Sequence, residues 1–176
     1  MTRTFSAKSP LHLVTAATIV FMCLNTFLPL NLSPVEVEAT EYPFKLKITL
    51  EKTTYKLGEP VYVTWTLINI GEENVTLYSS RDLSGFVVRD ENFIHVYRQG
   101  NRVWMVIHPS PPIAPGENWT STEVWRQVYD DQILKLQDTY YVLKKVPPGT
   151  YYVSGYSWIL TYNVELETTP VRITVG

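Results

Sequence analysis

Residues 61–69, Val-Tyr-Val-Thr-Trp-Thr-Leu-Ile-Asn, alternate along the chain. Val61, Val63, Trp65, Leu67 and Asn69 fall on one face, and Tyr62, Thr64, Thr66 and Ile68 on the other. A period of two in β-branched and aromatic residues predicts a strand with one face on a core. Residues 44–51 do the same, with Phe44, Leu46, Ile48 and Leu50 inward and Lys45, Lys47, Thr49 and Glu51 outward. That pattern predicts a strand at or beside a sheet edge. Further β-rich runs occur at 75–79, 86–90, 94–98, 103–107, 119–127, 151–160 and 171–175, separated by turn residues such as Gly58-Glu59-Pro60, Gly71-Glu72-Glu73-Asn74 and Pro115-Gly116-Glu117. The run at 75–79 is expected to form a hairpin with 61–69. Residues 80–85 read as a polar loop. Residues 108–118 hold four prolines and read as a stiff extended connection, since proline cannot donate to a ladder. Residues 130–138 fit a short helix or a short strand. The fold class is all-β: an immunoglobulin-like antiparallel β-sandwich of about seven to nine strands, preceded by an N-terminal apolar helix.

That N-terminal segment has Arg3 and Lys8 ahead of an uncharged run over 11–32. A basic stub before an apolar run describes a secretory signal, and the run is also near the length of a membrane span. The expected division is 1–39 as signal peptide or membrane anchor and 40–176 as the folded domain. Val37 and Ala39 occupy the small-residue positions for cleavage after Ala39. The expected location is extracytoplasmic, either secreted or anchored at the cell surface. Asn74 and Asn118 sit in Asn-x-Thr tripeptides at predicted turns and are candidate glycosylation sites. The single cysteine, Cys23, lies in the apolar run, so the domain has no disulfide.

Net charge is −2, without a basic excess to attract nucleic acid. Membrane contact is expected only through the N-terminal segment. Catalysis has little to work with. After residue 39 there is no cysteine, only His95 and His108 offer an imidazole, and no Gly-x-Ser-x-Gly turn or phosphate-cradling glycine loop occurs. The acidic pairs Glu72-Glu73 and Asp130-Asp131 lack the spacing of a calcium loop. No catalytic residue, cofactor or metal is therefore assigned, and a protein partner is the expectation. Two loops are the candidate contacts: 79–85 with Arg81, Asp82 and Leu83, and 108–118 with Pro109, Pro111 and Pro112. Proline stiffness lowers the ordering cost of binding.

Several turns and strands together resemble the BsuPI family of intracellular proteinase inhibitors. They are Tyr55, Gly58 and Glu59 before a strand ending in Asn69, then Asp90 before Val96-Tyr97-Arg98, then Pro115-Gly116-Glu117 before a strand with Trp125, and finally Pro148-Gly149 before Tyr151, Val153 and Gly155. The resemblance spans about residues 50–156. It implies an immunoglobulin-like sandwich that inhibits a serine protease. The chain departs from the family in its export-like N-terminus and in an extra segment at 128–145. No motif marks the inhibitory residues. The sequence is thus read as an exported, non-catalytic binding domain that inhibits a serine protease through a surface loop. The alternative is a cell-envelope structural or adhesive module that associates by loop contacts or by a strand edge at 44–51 or 171–176.

Overall fold

A computed structural model describes residues 33–78, 82–99, 109–136 and 140–176. Among them are twelve strands and no helix: β1 (Val35–Glu41), β2 (Phe44–Leu50), β3 (Thr54–Tyr55), β4 (Val61–Asn69), β5 (Asp82–Asp90), β6 (His95–Arg98), β7 (Asn118–Trp125), β8 (Val128–Leu136), β9 (Tyr140–Lys145), β10 (Gly149–Ile159), β11 (Val164–Glu167) and β12 (Val171–Val175). Chain contacts separate Met1–Leu32 from one compact unit, Ser33–Gly176. The expected N-terminal helix and the expected strand at 103–107 lie outside the described residues.

The unit is a β-sandwich. One sheet is antiparallel in the order β1-β2-β4-β7, and the other runs β3-β12-β10-β5-β6, with β11 on the far half of β10. β8 and β9 form a separate ribbon. The alternation read from sequence is the core: the inward sets of β2 and β4 are buried, and they meet Phe86, Val88, Val153 and Ile173 of the facing sheet. Each such side chain removed from water contributes roughly 1.5–3 kcal/mol. Gly155 of β10 lets the sheets approach closely over β2, because a Cβ there would collide with Ile48 Cγ2.

Several expectations need correction. β2 lies beside the sheet edge as expected, but 44–51 offers no free edge for strand addition, because β1 pairs with it along its whole length. The C-terminal strand is not open along its length either, since β12 lies between β10 and the short β3. Residues 75–78 make no hairpin with β4. Val75 and Tyr78 instead bridge to Ile113 and Pro109 in the proline segment. The supposed polar loop is already strand at Asp82 and Leu83, which pair with Ile159 and Trp158. The ambiguous stretch 130–138 is strand β8 as far as Leu136.

β1 changes the meaning of the N-terminal boundary. Ala39 sits within it opposite Leu46, and Val35, Val37 and Ala39 pack on the core. Cleavage after Ala39 divides the strand and bares the ladder edge of β2. A chain that starts at Thr40 should therefore be less stable than one that starts at Ser33. Half-burial of two valines and an alanine accounts for about 2 kcal/mol. For a domain of this size that loss lowers Tm by roughly 5 °C, to be measured by thermal unfolding of the two chains.

Candidate functional site

The proline segment is held by the end of β4. Asn69 occupies an inward position of the alternation, and its carboxamide is fully buried. Its Nδ2 donates to Glu73 O at 2.7 Å and to Ile113 O at 2.9 Å, and its Oδ1 accepts from Gly71 N at 2.9 Å. The Asn69 backbone N–H donates to Glu117 O at 3.0 Å, and its carbonyl accepts from Gly116 N at 2.8 Å. One residue thereby ties together β4, the reversal at 70–74 and the segment 113–117. The Pro115-Gly116-Glu117 turn closes on itself. Gly116 has φ +80°, which needs glycine. Glu117 N donates to Ala114 O at 2.9 Å, and Ala114 N donates to the Glu117 carboxylate at 3.1 Å.

From this base, residues 75–78 and 109–113 run side by side. Val75 and Ile113 exchange both backbone bonds, at 3.0 and 2.8 Å. Ser110 N donates to Leu77 O at 2.7 Å, and Ser110 Oγ accepts from Leu77 N at 3.1 Å. Thr76 N donates to the Tyr162 hydroxyl at 3.1 Å, and the Tyr162 ring meets Phe44 edge-on at 5.3 Å. Val75, Leu77 and Ile113 are buried on the inner side, while Pro109, Pro111 and Pro112 are exposed on the outer. The result is a short, stiff, uncharged ridge over one end of the sandwich. It is suited to contact.

The structure does not gather all the predicted residues. Pro109, Pro111 and Pro112 share the ridge. Leu83 lies at the start of β5 in the other sheet, half-buried, beside Asp82. Arg81 lies outside the described residues. Asn74 is exposed in the reversal, and Asn118 is exposed at the start of β7, where its Oδ1 accepts from Thr120 Oγ1 at 3.0 Å. Sequence reading missed Ser110 and Tyr162, which pin the ridge. It placed Asn69 inward without finding the buried hub. The available signal was a polar residue at an apolar position of a clean alternation.

The opposite end of the sandwich repeats the chemistry. Gly58 has φ +84°, Glu59 N donates to Lys56 O at 2.9 Å, and Lys56 N donates to the Glu59 carboxylate at 2.8 Å. The side-chain hydrogen bond from Lys52, aided by that from Lys56 N, holds the Glu59 carboxyl below its usual range. Tyr151 in the closing turn donates to Pro147 O at 2.7 Å, and burial pushes its hydroxyl up to about 12.

Comparison with known proteins fits these details. Residues 48–160 match the family described as BsuPI, intracellular proteinase inhibitor. The match covers more than half the chain, and the chain belongs to that family. The two Gly-Glu turns, Asn69, Trp125 and Tyr151 all fall within it. The family's description corrects the expected extracytoplasmic location, secreted or surface-anchored, and points to the cytoplasm instead. Residues 35–39, read as the end of a leader, are built into strand β1. No curated protein matches the chain. Among solved structures it is similar to a β-glucosidase from Listeria innocua in complex with glucose, with 17% identity over 76% of this chain and 16% of that one and a TM-score of 0.44. It is also similar to a β-glucosidase from Erythrobacter marinus, with 13% identity over 81% and 16% and a TM-score of 0.42. A third is the C-terminal domain of Wzt, with 8% identity over 82% and 78% and a TM-score of 0.45. The chain thus spans 16% of the glucosidases' length.

Two outcomes follow from the turn chemistry. Asn69→Ala removes three side-chain hydrogen bonds at a fully buried position and leaves the buried Gly71 N–H without its acceptor, so it should destabilise the protein by about 3 kcal/mol in denaturant unfolding, whereas Asn74→Ala on the exposed reversal should change stability by less than about 0.5 kcal/mol. Glu59 has a depressed folded pKa, so its contribution is present at neutral pH and lost as pH falls through that value, below the ordinary carboxylate value of 4.5. Glu59→Gln should therefore be less stable at neutral pH and lose less on acidification, as read from Tm between pH 7 and pH about 3.

Proposed function

We propose that this chain is an immunoglobulin-like, non-catalytic binding domain that inhibits a serine proteinase by presenting the ridge at 109–113. Membership of a family described as proteinase inhibitors carries this reading. The ridge supports it as the contact. It is exposed and extended, its prolines restrict it before binding, and Ser110, Ile113 and Asn69 fix its base. Little conformational entropy then remains to be lost when a proteinase cleft closes over it. The domain blocks the cleft by occupancy, and its own residues take no part in bond breaking.

The test is titration of the full chain against a panel of serine proteinases, followed by residual activity. A stoichiometric end point is expected with at least one of them. Replacing Pro111 and Pro112 together by glycine restores freedom to the unbound ridge and should weaken inhibition about fivefold or more, with a stability loss of only about 1–2 kcal/mol that leaves the domain folded. Undiminished proteinase activity across the panel at excess domain would overturn the reading.

A further inference from the structure

The outer face of the sheet containing β10 carries an unusual cation. Arg98 on β6 lies opposite Val87 of β5, and its guanidinium reaches past Gly85 to two rings on β10. Its Cζ lies 5.1 Å from the Tyr156 ring centroid and 5.0 Å from that of Trp158. Gly85 makes this possible. It pairs with Tyr156, and the Tyr156 hydroxyl crosses it to donate to Gln99 O at 2.7 Å, where a Cβ on residue 85 would collide with that carbonyl. The aromatic pair is therefore held against a backbone saddle, with the arginine close to both rings.

Among the described residues, no carboxylate is within ion-pair distance of Arg98, and its Nε is buried without a hydrogen-bond partner. Neighbouring charges are otherwise engaged. Glu167 accepts from Arg89 at 2.6 Å and from Ser154 at 2.8 Å. Burial raises the Glu167 carboxyl, but those hydrogen bonds outweigh it and hold the group below its usual range. Asp130 of β8 accepts from the Arg98 backbone N–H at 2.8 Å and pairs with His95 Nε2 at 2.9 Å. Glu165 is exposed on β11 opposite Trp158. Among the described residues the Arg98 guanidinium has no ion-pair partner, though its charge also draws the Glu167 carboxyl down from a distance. That arrangement suits a single monoanion and disfavours a phosphate or a nucleic acid. Trp158 is 36% exposed beside it, and tryptophan, tyrosine and arginine together have the composition of an interface anchor.

We infer that Arg98, Tyr156 and Trp158 form a second contact site that takes a carboxylate, an Asp or Glu side chain on an extended segment of a protein partner. The site reaches solvent at Trp158, where a partner can approach it. It is separate from the proline ridge and stands whether or not the ridge binds a proteinase.

The test is an NMR titration of the full chain, following the Arg98 Nε–H and Trp158 indole N–H signals. The probes are acetyl-Leu-Glu-Leu-amide, its glutamine analogue and sodium acetate. Saturable shifts are expected with the glutamate peptide, with affinity about tenfold or more weaker for the glutamine peptide and for acetate. Arg98→Gln should abolish the response of Trp158. Arg98→Lys, which keeps the charge and loses the planar fork, should weaken it. Trp158→Ala tests the aromatic wall at an exposed position and should weaken the Arg98 response. Equal affinity for the glutamate and glutamine peptides, equal affinity for acetate, or an unchanged response in Arg98→Gln would overturn the inference.

Discussion

Two buried carboxamides, one at each end of the β4–β7 pair, fix the register on which the sandwich is hung. β4 and β7 run antiparallel from Val61 opposite Trp125 to Ile68 opposite Asn118. Asn69, at the end of β4, holds the turn that leads into β7. Gln127, two residues past β7, holds the turn that leads into β4: its Oε1 accepts from Gly58 N at 2.6 Å, and its Nε2 donates to Lys56 O and Glu59 O at 2.9 and 2.8 Å. Each strand therefore locks the entrance of the other. Hydrophobic burial drives the sheets together but tolerates many registers, whereas a buried amide with three partners tolerates one. A slip of one residue would leave these donors and acceptors in an apolar core, at about 1–3 kcal/mol for each group.

The ridge inherits its rigidity from this clamp. Its backbone follows from Ile113, Gly116 and Glu117, all bonded to Asn69. Its lateral position follows from Ser110 and the pairing of Val75 with Ile113. The prolines add local stiffness but do not say where the segment lies. A loop of the same composition without the buried amide would be stiff and unplaced, and placement is what a contact surface needs.

Elements with local signals were legible in the sequence. β2 and β4 alternate over whole strands, and the Gly-Glu turns announce themselves by glycine at a left-handed position beside a carboxylate that can fold back. β1 was harder to see. Val35, Val37 and Ala39 satisfy a cleavage pattern and a strand alternation equally well, and only pairing with β2 decides between them. The partner of 75–78 was unreadable because it lies more than thirty residues away, and local hairpin logic prefers the neighbour in sequence. β8 failed for a different reason: its apolar residues are clustered rather than alternating, so their spacing does not separate strand from helix. The Arg98 cluster could not be read at all. It joins residues 85, 98, 156 and 158, brought to one face only by the order β10-β5-β6.

The two buried carboxamides and the Arg98 Nε pose the same physical question with opposite answers. Asn69 and Gln127 are polar groups taken from water and given every partner they need, and they sit where register must be unique. The Arg98 Nε is taken from water and given none. Cation–π contact with Tyr156 and Trp158 compensates the charge in part, by about 0.5–2 kcal/mol for each ring, but supplies no acceptor. A chain that satisfies its buried amides so fully at both ends of β4 shows that its backbone can place acceptors when stability requires them. The donor left open lies instead on an outer face, next to an exposed tryptophan and away from the core. Leaving that buried donor unmet weakens the isolated protein slightly, while the Arg98 cation is held against two rings beside an exposed tryptophan.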